Sequence, residues 1–555
     1  MSLRVASRPS KYLCKSCRFD LSRARKRKYG TSSITSNPQD IYDVVTVGGG
    51  PVGLALLTAL KSSPATSHLR CALIETQTLP KQKSWDLPPD QYSNRASSIT
   101  PTNQSFLESI GAWKHLDLRR VQPYDEMQVG DAGNDASIQF DWKAEAVRYN
   151  APLRTVATMV ENANLTRALL RRLEELDAED CLLSSSSVAS IGNGIDDPEG
   201  LNLSNWPVIS LNSAGTAESS STRQIAARLL IGADGINSPV RTFAGISTNG
   251  WDYNRHGVVA TLKLEPQPDS PFSSSSSDPN SALEDFLSDD TQTTSTSPSQ
   301  ATNENITPSN RATAYQRFLP SLGGPIAILP LPNNHASLVW STTPQIASTL
   351  KSLSPSALAS TINAALRLNE VDIKYMLSLP SSSDNEHDHE SELTWRLQHT
   401  PQPPPARAPP MITAVQPHTP ASFPLRLRNA SSYISPRLAL AGDAAHTIHP
   451  LAGQGLNLGL GDAEALARCI LGSVACGADV GDAMRLEGYS AERYGRAVEM
   501  GGGVDVLNGV YQMGGEGSLS GDGVVGGLLG RMRGLGMWVV GNVPGVKEGI
   551  MRRAG

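Results

Sequence analysis

Long apolar runs are missing from this 555-residue chain: no stretch of eighteen apolar residues occurs, so no membrane-spanning helix is expected. Aromatic residues make up only 5% and hydrophobic residues 39%. Ser-rich and Gly-rich stretches account for much of that deficit, so the packed part should be smaller than the chain, with room still for two or three domains. A net charge of −5 gives no basic excess, which argues against a nucleic-acid partner. There are only six cysteines. Cys14 and Cys17 form a C-x-x-C without a second pair, so a zinc site is not expected there. Cys71, Cys181, Cys469 and Cys476 are scattered and read as buried thiols of a reducing compartment. His387-Asp388-His389 reads as solvated loop, and no metal is expected.

Two further absences concern charge. Asp20 is the only acid in the first 28 residues, which carry ten basic ones from Arg4 to Lys28. Basic, Ser-containing and acid-poor is the composition of a mitochondrial transit peptide, here residues 1–29 with cleavage after Tyr29. A disordered basic arm or a nuclear signal is the alternative. No basic residue lies between Lys263 and Arg311. That segment is Ser, Thr, Pro, Asp and Asn, and is expected to be a disordered acidic insertion between two strands, Val258 to Leu264 and Ala312 to Leu319. A second insertion, Ser381 to Glu392, reads as a solvated loop, followed by a Pro-rich connector from Pro401 to Pro410. The end, from Gly501, is Gly-rich.

What is present in quantity is glycine, and it is organised. Asp43 to Val47 reads as a strand, Gly48 to Gly53 as a tight turn, Leu54 to Leu60 as the opening of a helix and Leu69 to Ile74 as the next strand. Asn162 to Leu176 reads as an amphipathic helix with Leu165, Leu169, Leu170 and Leu173 on one side. Gly48-Gly49-Gly50-Pro51-Val52-Gly53 fits G-x-G-x-x-G. The first glycine makes the turn, the second lets backbone approach a pyrophosphate, and the third lets helix and strand pack closely. The helix start offers N–H groups and positive potential to phosphates. Glu75 closes the second strand, placed to accept from the ribose hydroxyls of an adenosine, and its charge disfavours a 2′-phosphate. NAD and FAD both fit at this point.

A second turn separates them. The strand Leu438 to Ala441 runs into Gly442-Asp443, then Pro450, then Gly453-Gln454-Gly455 at a helix start. Asp443 would sit at a strand's C-terminal edge, where it can accept from ribityl hydroxyls. The glycines let backbone lie against a flavin ring. The helix beginning near Gln454 aims a partial positive charge at the ring's pyrimidine end, a lever on its redox behaviour. His446 and His449 read as structural. A third element follows the strand Arg228 to Ile231: Gly232-Ala233-Asp234-Gly235, with Ser238 as a helix cap. Arg95 could reach the pyrophosphate or the ring edge.

These three elements in this order resemble the flavoprotein aromatic hydroxylases of the para-hydroxybenzoate hydroxylase type, over roughly residues 40 to 500. A narrower likeness is carried by Trp251 to Leu262 (WDYNRHGVVATL), Tyr315 to Leu331 (YQRFLPSLGGPIAILPL), Ser337 to Thr342 (SLVWST) and Asn542 to Met551 (NVPGVKEGIM). These resemble the mitochondrial monooxygenases of ubiquinone biosynthesis, with the bacterial ubiquinone hydroxylases as close competitors. The insertion after Glu265, the loop from Ser381 and the Gly-rich end depart from that pattern.

The resemblance implies an α/β fold: a Rossmann-like FAD-binding domain (40–120, 156–250, 426–500) interleaved with a mixed β-sheet substrate domain (121–155, 251–425, with the insertion 266–310). A C-terminal helical tail, the Gly-rich 501–555, follows. It implies FAD held by Gly48, Gly50, Pro51, Val52, Gly53, Glu75, Arg95, Asp234, Gly235, Gly442, Asp443, Pro450, Gly453, Gln454, Gly455 and Asn457. It implies O2 and a polyprenylated phenol as substrates, hydroxylated at C5 of a 4-hydroxybenzoate-derived ring through a flavin C4a-hydroperoxide. Ferredoxin and its reductase would supply electrons, on the matrix face of the mitochondrial inner membrane, in company with other ubiquinone-biosynthesis proteins. No residue is identifiable as a phenol base. The alternatives are an NAD(P)H-dependent phenol hydroxylase of another pathway and a flavin-binding scaffold subunit of a biosynthetic complex.

Overall fold

A computed structural model gives the structure and describes residues 40–133, 136–141, 155–196, 202–213, 223–266, 312–380, 386–401, 408–449 and 453–512. The transit peptide, residues 267–310 of the acidic insertion, 402–407 of the Pro-rich connector, Pro450 and the tail from residue 513 onward lie outside the described residues.

Two sheets organise the chain. In the first, Leu438–Leu440, Arg223–Gly232, Asp40–Val47, Cys71–Ile74 and Leu182–Leu183 lie side by side in that order, each pair parallel. Parallel strands covered on both faces need near-continuous apolar runs. Val44-Val45 and Leu229-Leu230-Ile231 supply them, and all are buried. Helix Pro51–Ser62 connects the first strand to its parallel neighbour and buries Leu54, Leu56, Leu57 and Leu60. Helix Asn162–Glu175 buries the four leucines its periodicity marks.

The second sheet has eleven strands. Its spine is the 17-residue strand Thr248–Leu264, paired antiparallel with His335–Thr342 on one side and Ala421–Ala430 on the other. Ala312–Leu319 follows the acidic insertion, as expected from its apolar run. Ala96–Ile99 and Ala157–Glu161 also join this sheet, although both fall in segments expected in the flavin domain. Helices Pro344–Ser352, Pro355–Arg367 and Glu370–Ser378 close a second core around Val258, Leu338 and the fully buried Trp340.

The loop expected over Ser381 to Glu392 is a helix from Glu386 onward, ending at His399. Its acidic residues hid the pattern: Leu393 and His389 are buried, and Arg396 pairs with both Asp372 and Glu392. The first part of the Gly-rich end is also helical, as the close of Ala483–Gln512. Among the described residues no helix is long and apolar enough to cross a membrane.

Candidate functional site

The strands of the first sheet bring the three motifs together. Gly48 follows Asp40–Val47, Glu75 follows Cys71–Ile74, Asp234 follows Arg223–Gly232 and Asp443 follows Leu438–Leu440. All four therefore stand at the carboxyl ends of adjacent parallel strands, where open α/β sheets bind ligands.

The turns touch. Gly48 has φ +108°, and a Cβ there would lie 2.2 Å from the carbonyl oxygen of Ala233 in the Asp234 turn. A Cβ on Gly53 would lie 2.0 Å from the carbonyl oxygen of Gly48, so helix and strand meet at backbone distance. Val52 packs on the Asp443 turn: Cβ atoms on Gly442 and Gly459 would come within 3.3 and 2.6 Å of its Cγ2. Arg241 ties the second and third turns, donating to the carbonyl of Ala444 (2.8 Å) and that of Ile236 (2.6 Å). Ser238 caps the short helix Pro239–Phe243, accepting from the Arg241 N–H.

Beside this packed backbone the glycines leave open space. A Cβ on Gly50, Gly235 or Gly455 would meet no atom within 4 Å. The helices Pro51–Ser62 and Gly455–Ala475 both begin without a side-chain cap and without an acid in the first turn. Their first N–H groups thus remain for an anion. Asp234 accepts from Val240 N–H through one oxygen, while the other is buried without a partner. Burial raises the Asp234 carboxyl above its ordinary range, against the opposing Ser238 hydroxyl and Val240 N–H. Asp443 is exposed, and no hydrogen bond to its carboxylate is present among the described residues. Protein nevertheless surrounds it closely enough that lost hydration raises its pKa, with His446 opposing. An accessible carboxylate that is walled in marks a cleft. The residues present fit FAD.

Glu75 braces the first turn. Its Oε2 accepts from the Gly49 N–H (2.6 Å) and its Oε1 from the Thr76 hydroxyl (3.0 Å) and the Gln77 N–H (2.8 Å). Arg95 precedes the strand Ala96–Ile99; its guanidinium is exposed and makes no hydrogen bond among the described residues. Asn457, expected at the cofactor, has both amide groups engaged by protein. Its oxygen accepts from Thr100 N–H and Asn103, and its nitrogen donates to the carbonyl of Ser98 (2.7 Å). It pins the start of helix Gly455–Ala475 to the second sheet. Gly453 turns beside Ser98 with φ +62°.

Sequence reasoning missed Arg241, Asn103 and, above all, Asp462. That acid falls on the buried face of helix Gly455–Ala475, and its carboxylate receives Gly442 N–H (2.9 Å), His446 (2.6 Å) and Arg493 (2.8 Å). Burial alone would raise the Asp462 carboxyl, but His446 and Arg493 outweigh it and hold it below the ordinary range. The available signal was an acid four residues beyond Leu458 in an otherwise apolar helix face.

Two predictions arise here. Gly50→Ala is expected to change apoprotein stability by less than about 1 kcal/mol while lowering FAD affinity tenfold or more, because the methyl enters the open side. Gly53→Ala should instead cost about 3 kcal/mol or more, since its methyl meets backbone. Denaturant unfolding and FAD titration of the two apoproteins separate these effects.

His449 gives a pH prediction. It is 1% exposed, lies edge-on to Tyr253 (5.1 Å between centroids), and burial pushes its pKa down to about 4. The unfolded imidazole takes its proton near pH 6.5, the folded one only near 4. Stability present above pH 6.5 is therefore lost as pH falls toward 4, by about 2 kcal/mol at pH 5. Melting temperatures at pH 7 and pH 5 should fall apart in the wild type and draw together in His449→Gln.

The comparisons agree with this geometry. The family model of an FAD binding domain matches residues 337–501. The chain is 34% identical over 492 residues to the mitochondrial ubiquinone biosynthesis monooxygenase COQ6 of Schizosaccharomyces pombe, covering 88% of each chain. It is 35% identical over 483 residues to the COQ6 of Xenopus tropicalis, covering 86% of this chain and 88% of the relative. Among solved structures, p-nitrophenol 4-monooxygenase PnpA from Pseudomonas putida superposes with a TM-score of 0.56 at 16% identity, covering 93% of this chain and 99% of its own, a likeness of fold.

Proposed function

Because the chain belongs to the family of ubiquinone biosynthesis monooxygenases, FAD-dependent enzymes, we propose that it hydroxylates C5 of a polyprenylated 4-hydroxybenzoate-derived ring. The observation that carries this reading is the convergence of Gly48, Glu75, Asp234 and Asp443 at neighbouring strand ends, around space that their own glycines leave open.

Each residue then has a task. Gly50 and the uncapped start of helix Pro51–Ser62 take the pyrophosphate, and Glu75 faces the adenosine ribose. Asp234 and Asp443 accept from hydroxyls along the linker between the two halves of FAD. The start of helix Gly455–Ala475, with Gly453 and Gln454, lies along the ring and favours negative charge there. Arg95 stands free to pair with a phosphate or the ring edge. FAD, when bound, supplies the activation of O2; the protein orients the phenol and keeps water out. The second sheet and its helices form the other wall, and the substrate's apolar tail requires an apolar approach.

We place the enzyme in mitochondria, peripheral on the matrix face of the inner membrane, with other ubiquinone-biosynthesis proteins as company. The basic residues before Tyr29 support this location, as do the relatives, which are named mitochondrial. Electrons come, in this reading, from ferredoxin and its reductase. Anaerobic stopped-flow reduction of the bound flavin tests the donor. Reduction within seconds by reduced ferredoxin, with NADH and NADPH slower by a factor of a hundred or more, is the expected result. Rapid reduction by either nicotinamide alone would replace that donor and favour a nicotinamide-dependent hydroxylase.

A further inference from the structure

Asp462 is the eighth residue of helix Gly455–Ala475 and is fully buried. Its carboxylate is shared by three groups, two on the Asp443 turn and one on the C-terminal helix. Oδ2 accepts from Gly442 N–H, the residue directly before Asp443, and bonds His446 Nε2 three residues beyond it. Oδ1 accepts from Arg493 Nε, on helix Ala483–Gln512. Arg493 is seated as well as charged: it donates to the carbonyl of Leu458 (3.0 Å), and a Cβ on Gly461 would lie 2.7 Å from its Nη2. The same helix reaches the strand before the turn, through Tyr489 Oη donating to the carbonyl of Leu440 (2.6 Å).

We infer that Asp462 is a positioning residue of the flavin turn, and that through Arg493 it makes the C-terminal helix a working part of the flavin site. This rests on the reading of the Asp443 turn as an FAD contact. A neutral acceptor would satisfy the Gly442 N–H equally well. An ionised one, taken out of water, is stable only with its cations in place. The charge therefore binds two distant segments to one turn. It also sets a balance of field: a negative carboxylate and a positive guanidinium, side by side behind Asp443. Removing Arg493 leaves the carboxylate with only His446 opposite it, and removing the carboxylate leaves the guanidinium uncompensated, in a low-dielectric interior where either change acts on whatever lies in the cleft.

That imbalance has a sign. Reduction of a flavin adds electron density, so an unbalanced negative charge nearby opposes it and an unbalanced positive charge favours it. Arg493→Leu leaves Asp462 negative and should move the midpoint potential of the bound FAD downward. Asp462→Asn keeps a side chain of the same shape, leaves Arg493 positive, and should move it upward. The double variant, neutral at both positions, should lie close to wild type. A residue that merely fills space would shift the potential in one direction or not at all.

The experiment uses the full chain with FAD bound, potentials read by dye equilibration and FAD affinity by titration of the apoproteins. Arg468→Ala serves as control, since its pair with Glu492 is exposed and joins the same two helices. The expected result is opposite shifts for the two single variants and near-recovery in the double. Arg493→Leu should also weaken FAD binding tenfold or more, with Arg468→Ala unchanged. Shifts of the same sign, or a double variant no nearer wild type than the singles, overturn the inference while the flavin reading stands. If one single variant does not fold, the other and the double still fix the sign. A wild-type chain that takes up no FAD would remove the flavin reading, and this inference with it.

Discussion

Asp443→Ala is expected to strip the protein of flavin and of activity together, while leaving the apoprotein as stable as before or slightly more so. Most losses of function travel with losses of stability, and here the two should part. The Asp443 carboxylate makes no hydrogen bond among the described residues, and lost hydration raises its pKa. A folded pKa above the unfolded one means that the ionised form costs stability at every pH above the unfolded value. An uncharged side chain removes that cost. A bound ligand is the partner expected for such a carboxylate. Two charge-assisted hydrogen bonds to ligand hydroxyls contribute about 3 kcal/mol, which corresponds to a loss of about a hundredfold in affinity. Flavin absorbance of the isolated protein, turnover, and the apoprotein's melting temperature give the three readings. A variant with wild-type flavin content and turnover would remove Asp443 from the site.

Arg120→Ala should produce the largest loss of stability, about 3–5 kcal/mol. Arg120 and Glu161 are a buried pair, with side chains 5% and 0% exposed and N–O distances of 2.7 and 3.1 Å. Arg120 also donates to the carbonyls of Pro88 and Gln91, and its guanidinium lies over the rings of Trp85 and Tyr92. Glu161 in turn accepts from Ser93 N–H (2.6 Å). The pair thus fastens the chain that runs into Arg95. Truncating the arginine strands a buried carboxylate and two backbone carbonyls at once. Denaturant midpoints measure the loss. Replacing both charges, as Arg120→Met with Glu161→Leu, should recover part of it, because no charge is then left alone. The carbonyls of Pro88 and Gln91 stay unpaired, so recovery is incomplete. A single variant within 1 kcal/mol of wild type would contradict the role assigned to the pair.

The parts that local pattern foretells are those whose reason is local. Val44, Val45, Val47 and Leu229 to Ile231 are apolar because parallel strands are buried on both faces, and the four leucines of helix Asn162–Glu175 repeat at helical spacing. Gly48 turns against the Ala233 carbonyl with positive φ and Gly53 packs on the Gly48 carbonyl, as their spacing suggests. What escaped are pairings across long sequence separations. Nothing near Asp462 announces Arg493, and nothing near Arg120 announces Glu161, since each partner alone looks like an ordinary surface charge. Asn457 sits inside a glycine-rich motif that suggests a ligand, yet its amide is spent on Ser98, Thr100 and Asn103, far away in sequence. Helix Glu386–His399 was concealed for the opposite reason: its acids resemble a solvated loop, while among its described residues Leu393 and His389 are buried where the helix meets the core.

The central claim is that this flavin site serves ring hydroxylation in ubiquinone biosynthesis. Its most direct test is mass spectrometry of the quinone lipids extracted from cells lacking the protein. In those cells ubiquinone should be absent and a polyprenylated ring without its C5 oxygen should accumulate, with both changes reversed by the wild-type chain and not by Asp443→Ala. Normal ubiquinone in those cells would contradict it.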